Sequence, residues 1–140
     1  MADFVYTSAK KKLLDGDIDL LVADIKVVLV DATDYTPAQA TDEFLDDIPA
    51  AGRVATSANL ANKTTTGGAF DADPASFTAV TGDGADMAVL YVDTGVEATS
   101  ALICKLDSGV TGLPYTPSGA DVLLNWGTYI FKLLDPGQVS

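Results

Sequence analysis

Met87-Ala-Val-Leu-Tyr-Val-Asp93 is the stretch on which the fold turns. In a strand, side chains alternate between faces, so Met87, Val89 and Tyr91 share one side and Ala88, Leu90 and Val92 the other. Both sides are apolar, which suits a strand covered on two faces. Thr81-Gly-Asp-Gly84 before it and Asp93-Thr-Gly95 after it are turn signals. The stretch is therefore expected to be the central strand of an antiparallel sheet, with Thr81-Gly-Asp-Gly84 as a hairpin loop leading into it.

Working outward, Asp24-Ile-Lys-Val-Val-Leu-Val-Asp31 is a second β-branched strand. Arg53-Val-Ala-Thr-Ser-Ala-Asn-Leu60 alternates like a third. Short β-rich segments follow at 77–80 and 99–106. Asp121-Val-Leu-Leu-Asn-Trp126 and Tyr129-Ile-Phe-Lys-Leu-Leu134 read as a closing hairpin around Gly127-Thr128. Two short helices interrupt this texture. Residues 4–14 place Phe4, Ala9, Leu13 and Leu14 on one face, with Thr7 or Ser8 as cap and Asp15-Gly16 as the stop. Residues 41–47 carry acidic groups near a helix start, ended by Pro49. Strands at about 8 to 12 residue spacing predict a mainly β protein, a single antiparallel β-sandwich or barrel-like domain spanning residues 1–140.

The composition narrows function by exclusion. With 140 residues, 48% of them apolar, and a mean hydropathy of +0.24, the chain suffices for a packed core. No apolar run approaches the ~20 residues of a membrane helix, and the opening Met-Ala-Asp-Phe lacks a signal-peptide pattern. Neither a membrane nor a secretory role is expected. Twenty acidic against eight basic residues give a net charge of −12, which argues against nucleic acid. Lys10-Lys11-Lys12, the basic cluster, reads as a solvated helix face. Cys104, the single cysteine, precludes an internal disulfide and sits mid-strand as a core filler.

Histidine is absent, and with it imidazole-based acid–base, nucleophile and zinc chemistry. Thr81-Gly-Asp-Gly-Ala-Asp86 has glycines but no following Gly-Lys-Ser/Thr, and its acids would repel phosphate. Asp15, Asp17 and Asp19 begin like a calcium loop, yet Leu20 and Lys26 occupy the glycine and glutamate positions. Asp71 with Asp73, or Asp83 with Asp86, is the remaining pair for a loop cation; aspartate also favours turns for its own backbone bonds. Aromatic residues are 8% of the chain, and Phe77, Tyr91, Trp126 and Phe131 read as core, which leaves little for a sugar cleft. The expectation is a non-enzymatic protein without cofactor or metal.

Several stretches, in order and spacing, carry a resemblance: Asp24-Ile-Lys-Val-Val-Leu-Val-Asp31, Thr41-Asp-Glu-Phe-Leu-Asp-Asp-Ile-Pro49, Arg53-Val-Ala-Thr-Ser57, Phe70-Asp-Ala-Asp73, Phe77-Thr-Ala-Val80, Asp93-Thr-Gly95, Gly112-Leu-Pro-Tyr-Thr-Pro117, and Trp126 with Ile130-Phe-Lys-Leu133. Together they resemble a family of small proteins encoded among the virion genes of tailed bacteriophages and prophages. The chain departs from that pattern at Gly119-Ala120-Asp121 and in a shortened turn at Gly127-Thr128. The resemblance implies a virion structural protein, located in the virion and assembled in the bacterial cytoplasm. Its partners would be copies of itself and the major capsid protein or another virion protein.

Within that class the leading expectation is a head decoration or cement protein that binds the outer capsid lattice. A tail, connector or fibre-associated component is the alternative. From another class, a host-surface carbohydrate-binding module would use residues 109–119 with Tyr115. The partner contacts expected are Phe4 and Tyr6 in an arm of residues 1–6, dispensable for the fold, Leu134 and Val139 in a tail of residues 134–140, and Tyr115.

Overall fold

A computed structural model describes residues 3–107 and 110–132. The protein is mainly β, with antiparallel sheets and one α-helix. Its main sheet has five strands: β1 (Phe4–Val5), β2 (Ile25–Val30), β3 (Arg53–Thr56), β6 (Met87–Val92) and β7 (Leu102–Leu106). The order is β1-β7-β6-β2-β3, so β6 is the middle strand, as its sequence requires. Ile25 to Val30 pairs in continuous antiparallel register with Val92 to Met87. Bulges interrupt the ladders at Leu29/Val30 against β3 and at Leu90/Tyr91 against β7, where such insertions sharpen strand twist.

The two faces of this sheet go to two separate cores. Val28, Val30, Met87, Val89 and Tyr91 meet Tyr6, Ala9, Tyr35, Leu45 and Ile48. These come from helix α1 (Thr7–Asp15) with its capping residue Tyr6, and from residues 31–52, which carry two 3-10 turns, Leu45–Asp47 and Ala50–Gly52. On the other face, Ile25, Val27, Leu29, Ala88 and Leu90 meet Phe70, Phe77, Leu124, Trp126 and Ile130. That layer is two separate two-stranded ladders, β4 (Ala69–Phe70) with β9 (Phe131–Lys132) and β5 (Ala75–Phe77) with β8 (Val122–Leu124).

Several local expectations change. The expected helix over 4–14 begins instead at Thr7, because Phe4 and Val5 pair with Lys105 and Cys104 as an edge strand. Neither Thr7 nor Ser8 caps it: Tyr6 occupies the cap position, and Ser8 Oγ donates to the Asp42 carbonyl at 3.3 Å. The stop at Gly16 stands, with φ +80° and backbone bonds back to Leu13 and Lys12. The helix expected over 41–47 is reduced to the 3-10 turn Leu45–Asp47. Residues 121–134 do not form a hairpin among the described residues: β8 pairs with β5 and β9 with β4. The loop Thr81-Gly-Asp-Gly84 joins β5 to β6, which do not pair, so it is a layer crossing. Leu133 and Leu134 of the expected last strand lie outside the described residues.

Leu90 is wholly buried on β6, whereas Leu123 on β8 is 62% exposed. Leu90→Ala is expected to cost about 2–5 kcal/mol in denaturant unfolding, and Leu123→Ala to stay within about 0.5 kcal/mol. Equal costs would contradict the two-sided burial of β6.

Candidate functional site

Because β1 is only two residues long, the sheet ends abruptly beside α1. The β4–β9 ladder stands across from that end. Between them opens a cleft of about 1050 Å³. Val5, Leu13 and Leu14 line one side and Phe70, Ile130 and Phe131 the other, with Cys104 and Leu106 between. Lys10 and Lys132 also border it. A smaller cleft of about 390 Å³ continues alongside, lined by Trp126, Gly127 and Thr128 and sharing Asp3, Leu106, Tyr129 and Ile130 with the larger.

The expected contact residues fall in different places. Phe4 borders the large cleft. Its ring meets that of Tyr6 edge-on at 5.1 Å, and Lys105 Nζ lies 4.9 Å from its centroid. Tyr6 is fully buried, so its side chain is part of the fold and offers nothing to a partner. Its hydroxyl bonds that of Tyr35 at 2.9 Å, and Tyr35 donates to Asp42 Oδ2 at 2.7 Å. Residues 4–6 are thus structural, and the expectation that an arm of residues 1–6 is dispensable does not hold. Tyr115 is half-buried and held by a pair of 2.8 Å backbone bonds with Ala85; it lines neither cleft. Leu134 and Val139 lie outside the described residues, as does Gly109 of the 109–119 loop.

The titratable groups mostly serve the fold. Burial raises Tyr6 and Tyr35 well above the ordinary tyrosine range; Tyr35 is raised further by its bonds to Tyr6 and Asp42. Burial likewise raises the Cys104 thiol, so it stays protonated and is poorly suited to nucleophilic attack. Lys26 and Asp93 pair at 3.0 Å; that bond, with a further one from the Gly95 N–H, holds the Asp93 carboxyl below its ordinary value. Lys105, with no exposed surface, pairs with Asp107 at 3.2 Å. A buried lysine was not foreseen in the apolar run around it; its position opposite Val89 faces it toward the α1 side of the sheet.

One acidic cluster joins residues distant in sequence. Oxygens of Asp31, Asp34 and Asp83 lie within 4.8 Å of one another. Asp83 belongs to the loop noted from sequence, whereas its neighbours arrive from the end of β2. Asp86, its expected companion, instead accepts the Ala32 N–H at 2.9 Å. Asp73, of the other pair, accepts from Asn62 Nδ2 at 2.6 Å. Carboxylates so grouped offer hard oxygen ligands of the type that divalent cations take. Asp31 also accepts the Thr33 N–H at 2.8 Å, the local bond that makes aspartate a turn residue.

No family model matches the chain, and no curated protein matches it.

The tyrosine pair generates a pH prediction. Both hydroxyls have folded-state values above the unfolded one, so their contribution is whole below about pH 10 and is lost as pH rises further. The melting temperature is expected to fall above that pH, and Tyr35→Phe to flatten the alkaline limb. At neutral pH the same substitution leaves the buried Tyr6 hydroxyl without its partner, at a cost of about 1–3 kcal/mol. An unchanged alkaline limb in Tyr35→Phe would remove the pair from the account.

Proposed function

We propose that the chain is a structural protein of a tailed-phage particle, a head decoration protein that binds the outer capsid lattice and neighbouring copies of itself. The sequence resemblance motivates this reading. The structural observation that carries it is the sheet's terminal strand β3, which has β2 on one side and, among the described residues, no strand on the other. An unpaired strand edge is a ready template for a strand from a neighbour. Thr56 is exposed at this edge. The net charge of −12 adds complementarity to a basic partner surface. Many polar side chains are engaged in the fold: Arg53, for example, holds the Ile48 carbonyl through Nε at 3.0 Å and pairs with Glu97 at 2.6 Å.

Immunogold labelling of intact particles, with copy number from the same preparation, tests the reading. Gold over the whole head at a copy number comparable to the major capsid protein is the expected result. Gold restricted to the tail or neck assigns the chain to a connector or fibre instead, and unlabelled particles overturn a virion role. Thr56→Lys places a charge on the open edge; it is expected to lower head occupancy, with an unfolding cost of about 1 kcal/mol because the Thr56 side chain also bonds the buried Tyr91 hydroxyl. Thr56→Val, which loses that bond without adding charge, is expected to keep its occupancy.

A further inference from the structure

We propose that the end of α1 and the turn at residues 19–22 form an apolar knob, which inserts into a pocket ringed by lysine or arginine on the capsid protein. The knob's role rests on the virion reading above and names the surface that faces the lattice.

Among the described residues six large apolar side chains are exposed. Three of them fall within residues 14–22: Leu14 at 88%, Leu21 at 50% and Val22 at 78%. The other three, Val96, Leu123 and Tyr129, are far apart along the chain. Exposed apolar residues scattered singly are ordinary, whereas a group of them marks a contact surface. The helix end and the turn belong together. The Asp17 and Ile18 N–H groups return to the Lys12 carbonyl at 2.8 and 3.3 Å, so the chain folds back directly onto the last turn of α1. Leu14 and Leu20 border the same cleft.

The turn is also held in place. Asp19 Oδ1 accepts the Leu21 N–H at 3.0 Å, and the Asp19 carbonyl accepts those of Val22 and Ala23 at 3.2 and 2.8 Å. Ile18 is buried on one side of it, and Ala23 packs against the main core on the other. Lys63 Nζ donates to the Ala23 carbonyl, and the Asp24 carbonyl accepts the Asp93 N–H at 2.8 Å. Leu21 and Val22 are thus presented by a braced backbone, which lowers the ordering cost of binding.

Charge selects the partner. Asp17, Asp19 and Asp24 are exposed around the knob, and none has an ion pair among the described residues. The nearby lysines are engaged: Lys11 with Asp15, Lys12 with Glu43 and Lys26 with Asp93. An apolar tip inside a ring of carboxylates fits an apolar pocket inside a ring of cations. A second copy is disfavoured, because each carries a net charge of −12. The same carboxylates oppose an anionic bilayer surface.

The probe is a preparation of particles from a phage deleted for this chain, titrated with the fluorescently labelled full-length protein. Leu21→Ser with Val22→Ser is expected to weaken binding about tenfold or more, with melting temperature and far-UV circular dichroism unchanged. Leu123→Ser, exposed but outside the knob, is expected to bind as the unmodified chain does. Asp17→Asn with Asp24→Asn is expected to weaken binding at low salt and to flatten its salt dependence; an unaltered salt dependence overturns the basic ring. A double serine variant that binds as well as the unmodified chain overturns the knob and leaves the virion reading standing. An unmodified chain that does not bind overturns both. Self-association in sedimentation that the serine variant loses overturns the proposal in favour of a second copy. Binding to phosphatidylcholine vesicles that the serine variant loses overturns it in favour of lipid. If the double variant unfolds, Val22→Ser decides alone; should that variant unfold as well, the side chain is structural and the proposal falls.

Discussion

Burial of the main sheet on both faces is the constraint that everything else serves. β2 and β6 have hardly a polar side chain between them, and a sheet of that composition exposes apolar area at about 25 cal/mol per Å² wherever it is left uncovered. One cover comes from residues 6–48, the other from residues 60–85 and 110–130. Each cover is too irregular to have a core of its own, and each is shaped by the sheet it lies on. The two cores share only the strands between them, so loosening β6 exposes both at once. Cooperative unfolding of the whole follows from that geometry rather than from any single contact.

Covering a sheet with loops instead of helices has a second cost, because loop backbone groups need partners once buried. The chain meets this with side chains placed as local braces. Arg53 holds the carbonyls of Leu45 and Ile48, and Asp47 Oδ2 accepts the N–H groups of Glu43 and Phe44. Ser57 Oγ receives the Val27 N–H within the sheet. Tyr6, Tyr35 and Asp42 tie the start of α1 to the loop above it. Lys105 enters the core because its ammonium finds Asp107 and the Phe4 ring while its stem packs as apolar chain. Polar residues that looked free for function in the sequence are mostly occupied in this way.

What the sequence made legible was the part set by local pattern. The alternation of Met87 to Val92 and the β-branched run from Ile25 to Val30 needed no partner to be recognised, and Asp15-Gly16 marks a helix end by backbone geometry alone. What it hid was pairing at a distance. Gly127-Thr128 between two apolar runs has the form of a hairpin, yet Leu124 is opposite Ala75 and Phe131 is opposite Phe70. Turn chemistry proposes a partner, and packing across the core overrules it. The cleft was equally hidden, being assembled from residues near 5, 13, 70, 104 and 131. Leu13 and Leu14 read in the sequence as one helix face with Phe4 and Ala9, and nothing local marks them as the wall of a cleft. Tyr6 shows the opposite error: an aromatic near the chain's start reads as a free arm, while its hydroxyl is spoken for by Tyr35, 29 residues away.

The two edges of the main sheet are treated differently, and that difference gives the molecule a direction. At β1 the outer side is closed off: Gln39 Nε2 donates to the Val5 carbonyl at 3.0 Å, and the Gln39 carbonyl accepts the Thr7 N–H at 3.0 Å. A side chain there occupies the position a further strand would need, which is one of the ways proteins suppress edge-to-edge association. The cleft then lies beyond a strand too short to template anything. At β3 no such plug stands among the described residues, and the strand is twice as long, four residues against two. Growth of the sheet by a neighbour's strand is therefore favoured on the β3 side alone. With one open edge on the main sheet among the described residues, pairing with one partner strand there is supported and open-ended growth of that sheet is opposed.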